Sequence, residues 1–114
     1  MSSGSSLFEI RDASGNTDML IRDSGLGRAL AQSLGQHNCV LMRGHGSTTV
    51  APSIELAVYR AVYAEVNAKL QLQAAALGPI NFLTEEEAAL AAATTEGQVV
   101  RAWDLWRGRL DSAV

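Results

Sequence analysis

From Ile54 to Leu77 the sequence runs without a glycine or proline, between a Pro52-Ser53 start and a Gly78-Pro79 stop. Ser53 suits an N-cap and Gly-Pro cannot continue a helix, so this run predicts a single long helix. At about 1.5 Å per residue the helix would be roughly 36 Å long, which is long for a small domain. In a chain of 114 residues, the remaining elements must either cover such a rod or leave it bare. One stripe along it reads Ile54, Val58, Ala61, Glu65, Ala68, Leu72, and a second reads Leu56, Tyr59, Tyr63, Val66, Leu70. Apolar groups thus cover more than half the circumference, which predicts burial on two sides. Glu65 falls inside the first stripe, where a carboxylate must be paired or raised in pKa; a structural partner such as Arg43 or a backbone amide is the expectation. Tyr59 and Tyr63, one turn apart, read as packing residues.

The segments before this helix are short. Met1 to Ser6 is rich in Ser and Gly and reads as a flexible lead-in. Leu7-Phe8-Glu9-Ile10 alternates like a strand, and Asp12 to Asn16 carries turn chemistry. Asp18 to Arg22 reads as a second extended piece. Asp23 or Ser24 can cap a helix that buries Leu26, Ala29, Leu30 and Leu34 and stops at Gly35. After the long helix, Thr84-Glu85-Glu86-Glu87 forms a capping box for a final helix carrying Trp103, Trp106 and Leu110. Gly97 lies within it and marks a break or a close contact. The predicted order is β, β, α, β, long α, long α, an α/β chain with more apolar surface than it can bury alone. Either it associates with copies of itself or it forms part of something larger.

The β-prone run Cys39 to Val50 is interrupted at Gly44-His45-Gly46, where paired glycines signal a bulge, a bend or the close approach of a ligand. This presents His45 at a sheet rim with no side chains on either flank, and a functional origin is favoured over a structural one. One imidazole is still short of a zinc site, which needs three or four ligands. Arg43 has the planar fork that grips a substrate carboxylate; a salt bridge to an acidic neighbour is the equal alternative. His37, in Gly35-Gln36-His37-Asn38, reads as an exposed turn residue, and Cys39 as a small core residue.

Composition narrows the function classes. A net charge of -3, with no Lys/Arg run or basic helix face, argues against a nucleic-acid partner. The apolar runs are shorter than a membrane span and the N-terminus lacks the basic and apolar regions of a leader, so a cytoplasmic chain with no membrane partner is expected. The one cysteine excludes an internal disulfide.

Met42-Arg43-Gly44-His45-Gly46, followed by Pro52-Ser53-Ile54-Glu55-Leu56-Ala57, resembles the class II aldolase/adducin family. Thr17 to Asp23, Gly27 to Ala31, Ala64 to Gln71 and the closing Arg101 to Trp106 extend the likeness, and the ending is similar to the decarboxylase-like branch. The resemblance implies a three-layer α/β/α domain, a homotetramer and a small oxygenated, carboxylated substrate. It also implies a divalent metal, zinc foremost with Mn or Co as alternatives, held by three histidines that stabilise an enediolate. His45 matches the third of these ligands. The first two belong to an HxH motif that occurs nowhere in these residues, and Ala51 stands where the family often has glycine. The likeness therefore covers the C-terminal half of the family pattern, from Leu7 onward. The expectation is a metal-dependent carbon–carbon lyase by family, incomplete or inactive as an isolated chain. The alternative is a non-catalytic remnant or oligomerisation module that keeps the family's helical interface.

Overall fold

A computed structural model of the chain describes residues 4–111. The chain divides into two compact units, the first ending at Val50 and the second starting at Ala51.

The first unit is built on a sheet of order β1-β2-β3. β1 (Ser6–Phe8) lies parallel to β2 (Cys39–Met42), and β2 lies antiparallel to β3 (Gly46–Thr49). The parallel pair, with Leu7 opposite Leu41, is connected through α1 (Ile10–Ser14) and α2 (Ser24–Leu34). The residues confirm why α2 forms where it does. The Asp23 carboxylate accepts from the Leu26 amide at 2.8 Å, and Gly35, at φ 53°, takes the left-handed conformation that stops the helix. Phe8, Ile10, Leu26, Val40 and Met42 form the core, flanked by Met19, Ile21, Ala29, Leu30 and Leu34. Alternation along the strands leaves Leu7 and Leu41 on the opposite face, 66% and 47% exposed.

Three local expectations change. The strand foreseen over Leu7–Ile10 ends at Phe8, because the Glu9 carboxylate caps the Arg11 amide and starts a one-turn helix. Asp18–Arg22 is not a strand. Thr17 Oγ1 accepts from the Met19 amide at 3.0 Å and Asp18 Oδ1 from the Leu20 amide at 3.2 Å, so side chains use the amides that a ladder would need. The Cys39–Val50 run is a hairpin of two strands. The His45 amide donates to the Met42 carbonyl at 3.0 Å and Gly44 sits at φ 69°, a dihedral that glycine adopts without steric cost. The sheet still has three strands among the described residues, but the third comes from splitting this run.

The second unit is helical: α3 (Ile54–Leu77), α4 (Glu85–Glu96) and α5 (Val99–Asp111). Ser53 caps α3, and Thr84 and Glu87 form both bonds of the capping box at the head of α4. The single final helix expected from the sequence is broken at Gly97. Just before it, Thr94 and Thr95 turn their hydroxyls back onto the carbonyls of Leu90 and Ala91, an arrangement that loosens a helix. α3 packs on α5 through Tyr59, whose ring lies 4.4 Å from Tyr63 and 6.3 Å from Trp106. Arg60 donates to Glu96 at 2.8 Å.

The predicted two-sided burial of α3 is not found. Among the described residues of the helix only Tyr59 is buried, while Val66, Leu70, Leu72 and Leu77 are 40%, 56%, 73% and 92% exposed. Glu65 follows the same correction: it is exposed and pairs with Lys69 at 2.5 Å, one helical turn on. No helix is long and apolar enough to cross a membrane among the described residues.

Val40 is fully buried at the centre of the first unit. Val40→Ala should therefore lower stability by about 2 kcal/mol in urea denaturation. Leu72→Ala, on the bare part of α3, should stay within about 0.5 kcal/mol of the parent.

Candidate functional site

His45 and Gly46, at the end of the hairpin turn, and Leu20, Ile21 and Arg22, at the end of the coiled segment, border an open cleft of about 540 Å³. His45, Ser47 and Thr48 line one side, and Ile21, Arg22 and Leu30 another. The His45 side chain is exposed, and its imidazole makes no hydrogen bond or ion pair among the described residues. A ring nitrogen is therefore available to an external group.

The turn that carries His45 is held from two directions. Arg43 donates through Nε to Glu9 Oε2, linking the turn to the end of β1, and its Nη2 lies 3.9 Å from Met19 Sδ. Glu9 also receives Arg11, through both the amide and the guanidinium at 3.0 Å. These donors, Arg11 first and Arg43 next, hold the Glu9 carboxyl down at about 2 against an ordinary 4.5. On the other side, a Cβ added at Gly44 would meet Met19 Cε at 3.2 Å. Met19 is itself a non-glycine residue at φ 69°, a conformation that costs about 1 to 3 kcal/mol and is found where the surroundings enforce it.

Of the residues singled out by the sequence, the structure brings His45 to the cleft and keeps Arg43 out of its lining. The Arg43 fork is engaged with Glu9, the salt-bridge alternative. His37 is half-buried and engaged in an interaction of its own. Cys39 is 1% exposed, and burial pushes its thiol up, which suits a core residue and not a nucleophile. Sequence reasoning missed Glu9, Met19 and Arg22. The i, i+4 spacing of Asp18 and Arg22 was a usable signal; nothing local marks Glu9 as the partner of a residue 34 positions away. No cluster of three or more His, Cys, Asp or Glu exists among the described residues. Glu9 is committed to two arginines and Asp18 to Arg22. One imidazole without a neighbouring donor does not fit a metal centre on its own.

The family model for the class II aldolase and adducin N-terminal domain matches residues 9–72, a stretch that contains the whole cleft. The chain belongs to the class II aldolase and adducin family. Within that family it is similar to the decarboxylase tropJ of Talaromyces stipitatus, at 43% identity over 108 residues that include 78% of this chain. It is also similar to the 3,4-dihydroxyphthalate decarboxylases of Terrabacter sp. and Arthrobacter keyseri, at 38% and 37% identity, each covering 53% of the chain. These relatives place it on the decarboxylase-like branch. The chain spans 41%, 25% and 24% of their respective lengths.

Because Glu9 loses its proton more readily in the folded chain than in an ordinary setting, its contribution to stability is complete above about pH 4.5. It fades as pH falls towards about 2. Acid unfolding of the parent followed by circular dichroism should fall in that window. Glu9→Gln should flatten the dependence there while also lowering stability at neutral pH.

Proposed function

We propose that the chain supplies the substrate cleft of a decarboxylating carbon–carbon lyase that acts on a small hydroxylated arene carboxylate. The observation that carries the reading is an imidazole with no partner among the described residues, at the rim of a cleft, in a chain whose relatives are named as decarboxylases. A proton first adds to the ring carbon that bears the carboxylate, while the adjacent phenolate oxygen becomes a carbonyl. Heterolysis of the carbon–carbon bond then releases CO₂, and its electron pair returns through the ring to that oxygen, as an enediolate where two oxygens are adjacent. A hydroxyl beside the departing group provides this outlet. The cleft accommodates such a substrate: Ile21 and Leu30 offer apolar wall for a ring, and Ser47 and Thr48 offer hydroxyls for its oxygens.

His45 is proposed as one donor to a divalent metal, zinc first, with the remaining donors outside the described residues. Homo-oligomeric assembly belongs to the same proposal, as does a three-layer α/β/α arrangement. Both are supported by apolar surface left bare, on the sheet face of Leu7 and Leu41 and along α3 from Val66 to Leu77. A cytoplasmic setting fits the single free, buried Cys39.

That bare surface of α3 also favours a second reading, an association module without chemistry of its own. The two readings separate in one experiment on the protein in its native assembly. CO₂ release from 3,4-dihydroxyphthalate in the presence of Zn²⁺, Mn²⁺ or Co²⁺ is expected, with a loss of at least about a hundredfold in His45→Ala, since even outer-shell partners of a metal cost 10–100-fold. An assembly that forms yet releases no CO₂ from hydroxylated arene carboxylates would overturn the lyase and leave the module. If the bare surface mediates assembly, Leu70→Glu should shift the mass seen by light scattering towards the monomer.

A further inference from the structure

Arg22 is the only cation on the lining of the cleft, and no aspartate or glutamate lines it among the described residues. Its fork is fixed by Asp18 in an uneven way. Nε and Nη2 both donate to the same oxygen, Asp18 Oδ2, at 2.9 and 2.6 Å, while Nη1 makes no hydrogen bond among the described residues. The guanidinium is thus held in one orientation with donors to spare, and its side chain remains 65% exposed. The segment is shaped to produce this: the bonds from Thr17 and Asp18 to the Met19 and Leu20 amides coil the chain, and the next residues, Ile21 and Arg22, line the cleft. Arg43, by contrast, has its Nε on Glu9 and lies outside the lining.

We propose that Arg22 is the residue that binds the substrate's carboxylate, with Asp18 orienting its fork, and that the preferred ligand is a flat arene carboxylate. The inference rests on the lyase reading for its substrate class, but it stands on the placement of one oriented guanidinium beside apolar wall. A spherical or tetrahedral anion would use the charge and leave Ile21, Leu30 and Met42 uncovered, whereas a flat ring with a carboxylate uses both. Asp18 carries one negative charge beside the site, so a ligand gains most when it uses the unoccupied edge of the fork and does not displace Asp18.

The test is a metal-free titration of the full 114-residue chain with phthalate, followed by nitrogen–proton NMR, with inorganic phosphate as the parallel arm. Phthalate should shift the Arg22 Nε, Ser47 and Thr48 resonances together, and more strongly than phosphate does. Arg22→Ala should weaken phthalate binding by about tenfold or more, as expected for loss of a charge-assisted pair. Arg22→Lys, which keeps the charge and loses the fork, should fall between. Arg28→Ala, another exposed arginine of the first unit, should bind as the parent does. Unchanged binding in Arg22→Ala, equal binding of phosphate, or no binding by the folded parent at saturating millimolar phthalate would each overturn the assignment. Because the titration needs neither metal nor turnover, its failure is separate from failure of the lyase reading, which only the CO₂ assay reports.

Discussion

Glu9 receives two arginines just beyond the end of β1. Arg11 reaches it from the adjacent helical turn and Arg43 from the end of the neighbouring strand, so one carboxylate joins the end of β1 to the turn that follows β2. Exposed ion pairs usually contribute little, because water screens them and the side chains lose freedom. Here the cost is reduced: two cations share one anion that is already held in place by capping its own helix. Position is the main result. The turn carrying His45 is tied through Arg43 to a residue 34 positions earlier in the chain.

Elements whose signals are local were legible from the sequence. Asp23 and Gly35 bound α2, Ser53 begins α3, and Thr84 with Glu87 opens α4, each because a cap is decided by residues within one turn. The break at Gly97 was legible as a place, with the two threonines before it explaining why the helix stops there. Asp18–Arg22 misled because its apolar residues look strand-like while its polar residues take up the amides. The apolar stripes of α3 were read correctly as apolar. Periodicity, though, says which face seeks cover and not whether a neighbour supplies it, and so Glu65 and Leu72 lie in solvent. At the site, His45 was legible from its glycines, whereas its surroundings depend on pairings across the unit that no local pattern encodes.

The polar groups around the cleft divide between holding the fold and facing a ligand. Glu9 and Arg43 neutralise one another and maintain the turn. Asp18 does the same for Arg22 but occupies only one edge of it. Among the described residues, what remains unengaged on the cleft is one imidazole, one edge of a guanidinium and the Ser47 hydroxyl, all compatible with an oxygen-rich anion. Thr48 is partly engaged, with its hydroxyl 3.5 Å from Met42 Sδ. A carboxylate ligand would therefore meet a guanidinium whose orientation Asp18 settles before it arrives, which lowers the entropy lost on binding.

Gly44 gives the turn an unusual relation to sequence change. Two independent conditions disfavour other residues there: a backbone dihedral of 69°, which side chains rarely adopt, and the methyl of Met19, 3.2 Å from where a Cβ would stand. A smaller residue at position 19 would remove the second condition and leave the first, so no single compensating change reopens the position. Across a population of drifting sequences, the hairpin would then stay fixed at its tip while the exposed residues of α3 vary freely. The most conserved point of such a lineage would be a residue with no side chain at all.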